Sequence, residues 1–116
     1  MVRKDKIEIK EGLRGGKGSI EFHHILEEKE LLGHGRLFAK LVIKPNSSIG
    51  THQHVKETEP YYILKGEGVF VDNDGTRTKV GPGDVCLIEV GQSHSIENNT
   101  QEDLELIALI YFEENK

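Results

Sequence analysis

The chain has 116 residues, of which 30% are charged and 35% hydrophobic, a composition typical of one globular domain. Acidic residues outnumber basic ones by 20 to 15, and the resulting net charge of −5 argues against a nucleic-acid backbone as partner. The single cysteine, Cys86, excludes an internal disulfide. Because the sequence has neither a signal-peptide pattern nor an apolar run of about 20 residues, the protein is predicted to be cytoplasmic and not to enter a membrane.

The N-terminal part of the chain, residues 1–25, is predicted to be an arm that belongs to the same domain as a β-barrel formed by residues 26–116. Within the arm, the glycine-rich segment Arg14–Gly18 lacks the strand–loop–helix context and the Lys-Ser/Thr ending of a phosphate loop. We interpret this segment as a flexible arm or a turn, and its role stays open. The next segment, Leu26–Leu32, is predicted to form one or two helical turns or a solvated loop.

From residue 35 onward the hydrophobic pattern has the period of two that is typical of β-strands. Alternate residues from Leu37 to Ile43 share one apolar face, and a second strand-rich run extends from residue 61 to 71, with Gly66 closing its first part. Further strands are predicted at 76–80, 84–90 and 103–112, separated by Gly- and Pro-containing turns. At least six short strands with turn signals between them predict an all-β sandwich or barrel.

The histidines are concentrated where a metal site can form. His52 and His54 are two residues apart, so in extended backbone their rings point to the same face. Glu59 follows five residues after His54, which is far enough for the chain to turn and offer a carboxylate to the same point, and His94 follows a turn at Gly91. Three imidazoles and one carboxylate form a mixed nitrogen and oxygen ligand set for one divalent metal ion. Four such ligands leave two open positions on an octahedral ion for a substrate.

These residues fall into two motifs that resemble those of the cupins. The first motif, His-x-His, three or four residues, Glu, six residues, Gly, is matched at His52, His54, Glu59 and Gly66. The second, Gly-x5-Pro-x-Gly-x2-His-x3-Asn, is matched at Gly83, Gly91, His94 and Asn98. The resemblance implies a single-domain cupin, which is a double-stranded β-helix or jelly-roll barrel.

The chain departs from the two motifs at two positions. Glu89 stands where the second motif has proline, and Asn46 stands where the first has glycine. Both positions are at turns or strand ends, and asparagine can adopt the left-handed backbone conformation that a glycine would supply. The departures therefore bear on local geometry more than on metal binding.

Other polar residues have simpler expected roles. Glu57 is expected to be solvated, because only Glu59 has the six-residue spacing to Gly66. Tyr61 shares the face of Glu59 and is predicted to line the barrel interior near the metal, either as core filler or as a substrate contact. Cys86 is expected to be a small buried hydrophobe. Locally satisfied or exposed side chains are expected for His23, His24 and His34. Arg14 and Arg36 are expected to be surface charges, with neutralisation of a substrate carboxylate as the alternative role.

Within the cupins, the chain looks most like the small proteins grouped with oxalate decarboxylases. This resemblance implies manganese, oxalate or a similar small carboxylate as ligand, and a homodimer. The residues themselves do not fix the metal, so iron, nickel and zinc stay open. Oxalate decarboxylases themselves have two barrels, a glutamate-bearing lid, and an arginine where this chain has Ile49. We therefore expect carboxylate binding with slow turnover or none.

Three other functions stay open at this point. A cupin dioxygenase would use iron to activate oxygen. A sugar isomerase or epimerase would need a base beyond the metal ligands, and the sequence singles none out. A non-enzymatic sensor or small-molecule binding module would need only the metal and its ligand.

Overall fold

The protein is built almost entirely from short antiparallel strands that form two sheets. A computed structural model describes residues 1–114. The strands are β1 (Lys6–Glu11), β2 (Ser19–Leu26), β3 (Gly35–Ile43), β4 (Ser47–Gln53), β5 (Glu57–Thr58), β6 (Tyr61–Lys65), β7 (Gly68–Val71), β8 (Arg77–Val80), β9 (Val85–Cys86), β10 (Ser93–Asn98) and β11 (Leu104–Phe112). Two short 3₁₀ segments, Leu13–Gly15 and Glu28–Leu31, join β1 to β2 and β2 to β3. Within this part of the chain, no helix is long and apolar enough to cross a membrane.

The two sheets enclose one hydrophobic core. The larger sheet has the strand order β1-β2-β3-β11-β6-β9, with β5 also paired to β11, and the smaller has the order β4-β10-β7-β8. The core cluster draws side chains from both sheets: Leu41 and Leu106 come from the larger one, and Phe70 and Ile96 from the smaller. Alternating inward side chains produce this shared interior, because successive residues of a strand point to opposite faces. The prediction of an all-β barrel is confirmed.

Two predicted backbone features explain how the chain passes between the sheets. Gly66 ends β6 in the larger sheet, and β7 then begins in the smaller one. Its φ of +89° is in the left-handed region, and a Cβ there would lie 2.4 Å from the Asp103 carbonyl oxygen, so only glycine fits. Asn46, which precedes β4, has a φ of +56°, as expected for an asparagine in a glycine position.

The strand predicted at 84–90 is wrong in length, since only Val85 and Cys86 are in β9. Cys86 pairs with Tyr61 of β6, and the residue before Tyr61 is Pro60. Proline has no backbone N–H, so the ladder cannot continue past this point. The Thr58 hydroxyl donates instead to the Ile88 carbonyl at 2.6 Å, which fixes the rest of the segment. As predicted, Cys86 itself is a free and buried thiol.

The N-terminal residues are ordered into the larger sheet. β1 pairs with β2 along its whole length, and β2 pairs with β3. The segment predicted as a flexible arm or turn, Arg14–Gly18, lies in the connection between β1 and β2. Residues 26–32 contain the 3₁₀ segment Glu28–Leu31, in agreement with the predicted helical turn. The division into an arm, residues 1–25, and a barrel stays a prediction.

Asn98 is predicted to be a major source of stability. Its side chain is 0% exposed, and its amide nitrogen donates to the carbonyls of Ile43, Lys44 and Glu102 at 2.7–3.1 Å. Because Asn98→Ala would remove three hydrogen bonds that join β10 to the end of β3 and to the segment before β11, we expect it to lower the free energy of unfolding by about 2–4 kcal/mol. Urea unfolding followed by circular dichroism would measure this change.

The neighbouring asparagine provides the control for this prediction. Asn99 is exposed and its amide reaches only the carboxylate of Glu97. We expect Asn99→Ala to change the unfolding free energy by less than about 0.5 kcal/mol. Equal effects of the two substitutions would contradict the assigned role of Asn98.

Candidate metal centre

Two of the predicted ligands face each other across neighbouring strands of the smaller sheet. His52 of β4 is directly opposite His94 of β10. The register shifts next to this pair, because Ile49 rather than Gly50 is opposite Ile96, so β4 carries one extra residue there. Such a bulge re-aims a side chain. Here it places the Gly50 carbonyl where it accepts a hydrogen bond from Nδ1 of His52 at 2.7 Å.

His54 follows the end of β4 and is held by the chain that leads into β10. Its backbone N–H donates to the Gln92 carbonyl at 3.1 Å, and its carbonyl accepts from the Gly91 N–H at 2.7 Å. These bonds extend the pairing past the last residue of β4. His52 and His54 therefore stay on one face, as the two-residue spacing predicts.

Glu59 comes from the larger sheet and completes the group. It lies between β5, which pairs with β11, and β6, which begins at Tyr61. One ligand atom from each of His52, His54, Glu59 and His94 lies within 4.8 Å of the other three. The structure thus brings together all four residues that the sequence selects, with two sheets contributing to one site.

The separations between these atoms suit a metal ion. Nε2 of His54 lies 3.0 Å from Nε2 of His94 and 3.0 Å from Oε1 of Glu59, and His94 Nε2 lies 3.1 Å from the same oxygen. His52 Nε2 is 3.2 Å from His94 Nε2 and 3.7 Å from Glu59 Oε1. Ligands about 2.1 Å from one ion and at right angles to each other are about 3.0 Å apart.

The protonation of the rings supports the same interpretation. The Gly50 carbonyl and the Glu57 carboxylate can only accept hydrogen bonds, so the Nδ1 atoms of His52 and His54 carry the protons. In neutral rings the Nε2 atoms then present lone pairs to the Glu59 carboxylate. One proton can form a hydrogen bond between only two of these atoms, whereas one divalent cation can be coordinated by all four. The donor set therefore fits a metal ion.

Burial and mutual hydrogen bonding set the charges of this cluster. Burial alone would raise the pKa of Glu59, but each histidine that carries a proton on Nε2 donates a hydrogen bond to its carboxylate, and these bonds hold the pKa well below its usual range. Burial holds the pKa of His94 below the ordinary histidine value, which favours its neutral form. Burial also lowers the pKa of His54, but its bonds to Glu59 and Glu57 outweigh this and raise it. A proton therefore competes with a metal ion more strongly at His54 than at His94.

Glu57 and Arg36 are the residues whose roles the sequence analysis missed. The expectation of a solvated Glu57 is wrong: its side chain is buried, and Oε2 accepts from Nδ1 of His54 at 2.5 Å. Arg36, expected to be a surface charge, is half-buried and donates to both carboxylate oxygens of Glu57 at 2.8 Å. Lys56, with a φ of +60°, forms the tight turn that returns Glu57 to His54. The contact between Arg36 and Glu57 has no sequence signal, because the two residues are 21 positions apart.

The cluster lies at one side of a cavity of about 540 Å³. Three of the four candidate ligands, His52, His54 and Glu59, line this cavity. Tyr61 and Ile49 also line it, and the Tyr61 ring stacks on His94 with a centroid distance of 5.1 Å. The predicted position of Tyr61 near the site is therefore confirmed, whereas a contact with substrate stays a prediction.

The remaining histidines with described contacts are outside the cluster. His23 contacts Asp5 and Glu21 at 3.1 Å, and His24 contacts Glu8 at 3.0 Å. Both have the local partners expected from their lack of motif context.

Comparison with known proteins identifies the family. The model of the Cupin domain family matches residues 39–110, and the chain belongs to the cupin family. An oxalate-binding protein from Thermotoga maritima is 49% identical over 98 residues, which are 84% of this chain and 80% of that protein. The crystal structure of a predicted oxalate decarboxylase from Thermotoga maritima has a TM-score of 0.89 and 45% identity, covering 97% of this chain and 98% of that one.

A less similar solved structure shares the fold alone. A polyketide cyclase from Streptomyces resistomycificus matches with a TM-score of 0.74 and 21% identity, over 98% of this chain and 79% of its own. The cupin resemblance and the fold predicted from it are therefore confirmed.

We expect Glu57 to control metal affinity by orienting His54. Glu57→Gln removes the charge that holds the Nδ1–H of His54, and loss of such an outer contact weakens metal binding about 10–100-fold. Manganese titration of metal-free protein, followed by calorimetry, would measure the affinity.

A second glutamate of the same chain gives a matched control. Glu97 also accepts two hydrogen bonds from an arginine, Arg77, at 2.8 and 3.0 Å, but on the surface and away from the cluster. Glu97→Gln should leave the manganese affinity unchanged. An unchanged affinity in Glu57→Gln would contradict the orienting role.

Proposed function

We propose that the protein binds one divalent metal ion, manganese in the first instance, through His52, His54, Glu59 and His94, and uses it to hold a small carboxylate such as oxalate. The observation that carries this proposal is the convergence of three imidazole nitrogens and one carboxylate oxygen beside an open cavity. A bound divalent ion would supply a Lewis acid that attracts and orients an anion. The similarity to an oxalate-binding protein supports the same class of ligand.

The charge balance of the site favours an anionic ligand. Three neutral imidazoles and one carboxylate leave a divalent ion with a net charge of about +1. An anion is therefore attracted locally, although the protein as a whole has a net charge of −5. Because the cavity is in contact with three of the four ligand residues, a bidentate carboxylate can approach the ion from that side.

Tyr61 is proposed as a further contact to the bound carboxylate. Its hydroxyl is fully buried and makes no hydrogen bond of good geometry within residues 1–114, although the Glu59 carboxylate is close enough to raise its pKa. Burial raises the pKa of Tyr61 well above its ordinary value, so the hydroxyl stays a donor. An unpaired buried donor is costly, and a ligand oxygen in the cavity would satisfy it.

We propose binding with slow turnover of oxalate or none. Ile49, where oxalate decarboxylases have arginine, is buried and lines the cavity as an apolar wall. An aliphatic side chain cannot donate the charge-assisted hydrogen bonds with which a guanidinium would hold and polarise a bound carboxylate. The apolar side chain at position 49 therefore favours carboxylate binding over decarboxylation.

The proposal predicts that oxalate binding depends on the metal. Calorimetry of manganese-loaded protein should show one oxalate bound per chain, with a dissociation constant below about 1 mM, and protein treated with a chelator should give no heat. Assays of the same samples should find little or no formate.

Two results would contradict this proposal. Absence of heat at millimolar oxalate, together with no displacement of a metal-bound probe, would exclude oxalate as a ligand. Equal binding by metal-free protein would exclude the role of the metal.

A homodimer is also proposed, in the cytoplasm. β1 is at the edge of the larger sheet, and Ile7 and Ile9 on this strand are 57% and 60% exposed. An edge strand with apolar side chains favours pairing with a second copy, and the N-terminal 25 residues are the proposed contact.

Sedimentation at micromolar concentration should give about twice the chain mass of 13.1 kDa. Replacement of both isoleucines, Ile7→Lys with Ile9→Lys, should shift the protein toward the monomer. A wild-type protein that sediments only as the monomer would reject the dimer.

A further inference from the structure

The glycine-rich connection between β1 and β2 is fitted tightly against β4. A Cβ on Gly16 would lie 2.2 Å from the Ser48 carbonyl oxygen, and one on Gly50 would lie 2.1 Å from the carbonyl oxygen of Arg14. Lys17 exchanges hydrogen bonds with Ser48, since its carbonyl accepts from the Ser48 N–H at 2.9 Å and its N–H donates to the Ser48 hydroxyl at 3.0 Å. Glycines are required here so that the two backbones can approach.

The same contacts fix the position of Arg14. Leu13, the residue before it, packs against the hydrophobic core. Arg14 has a φ of +56°, a left-handed conformation that is uncommon for a residue with a side chain. Its carbonyl lies against Gly50, whose own carbonyl orients the ring of His52. The connection is therefore docked on the strand segment that carries a metal ligand, and Arg14 lines the cavity.

Within residues 1–114, Arg14 differs from the other cations of the cavity in that its side chain has neither an ion pair nor a ring contact. Lys6 lies 3.8 Å from a carboxylate oxygen of Glu27, and Lys10 lies over the ring of Phe22. Arg36 is bound to Glu57, as described above.

The guanidinium of Arg14 has no hydrogen bond, ion pair or ring contact within the part of the chain that the structure describes. Glu28 also lines the cavity, but its charge acts on Arg36. Arg14 is thus the cation available to a ligand.

The size of the cavity exceeds what oxalate needs. Its volume of about 540 Å³ is within the range of about 300–1,000 Å³ found for sites of much larger ligands. Oxalate consists of only two joined carboxyl groups, so bound at the metal it leaves most of this space to other ligand atoms.

We propose that Arg14 binds a second anionic group of the ligand, and that the ligand is a dianionic acid longer than oxalate, with a chelating keto- or hydroxy-acid group at the metal. This inference rests on the proposed function, because it takes the metal as the anchor of the first group. The planar guanidinium suits a carboxylate, to which it can donate two parallel hydrogen bonds.

The test compares acids that differ only in the distal charge. α-Ketoglutarate and α-ketoadipate are paired with α-ketovalerate and α-ketocaproate, in which a methyl group replaces the distal carboxylate, and oxalate is included as a chelator without a distal group. Calorimetry uses manganese-loaded full-length protein. At least one dicarboxylate should bind about tenfold or more tightly than its partner, as expected for one charge-assisted hydrogen bond.

Two variants of the same connection separate the role of Arg14 from general charge. In Arg14→Gln the preference for the dicarboxylate should disappear, while oxalate affinity and manganese content stay at the wild-type level. Lys17→Gln removes the same charge from the same connection, but Lys17 is not among the residues that line the cavity, so the preference should persist. Unchanged thermal unfolding of both variants would show that the connection is intact.

The outcomes distinguish this inference from the proposed function. If oxalate binds but neither α-ketoglutarate nor α-ketoadipate binds more tightly than its methyl-ended partner, the inference is overturned and the proposed function stands. A preference for the longer dicarboxylate that persists in Arg14→Gln would have the same consequence. An Arg14-dependent preference without oxalate binding would support the inference and reject oxalate as a ligand. No binding of any probe to the loaded protein would overturn both.

Discussion

The other features of the structure depend on the fact that the fold holds four electron-rich atoms close together in its interior. Three imidazole nitrogens and one carboxylate oxygen lie within 4.8 Å of one another, and His54, Glu59 and His94 are buried. Such a group is unfavourable unless a positive charge lies among its members, because burial removes the water that would otherwise solvate them. The close approach of these atoms is the reason to infer a metal ion. The ion would in turn attract an anion, and the adjacent cavity would hold it.

Both sheets contribute residues that position these atoms. The register between β4 and β10 sets His52 opposite His94, and Glu59 arrives from the connection between two strands of the larger sheet. Hydrogen bonds to the Nδ1 atoms then orient two of the rings. The Gly50 carbonyl accepts from His52, and the Glu57 carboxylate accepts from His54. The site therefore needs the whole sandwich to be folded, and the metal in turn would stabilise the sandwich by binding only its folded form.

The ligands and the fold could be predicted because their signals are local. The two-residue spacing of His52 and His54 predicts that their rings share one face of the strand, and turn residues such as Gly66 indicate where strands end. The interaction of Arg36 with Glu57 joins positions 21 residues apart, and no pattern along the chain encodes such a contact. The shortened strand β9 depends on its pairing partner: Pro60 ends the ladder, although the apolar run itself continues.

The most direct test of this account is the metal content of protein purified without added metal, measured by elemental analysis in parallel for the wild type and two variants. The account predicts about one divalent ion per wild-type chain and a content well below that in His54→Ala, because the ring at the centre of the group is lost. His23→Ala removes a histidine outside the cluster and should retain the wild-type content. A His54→Ala protein that holds as much metal as the wild type would contradict the account.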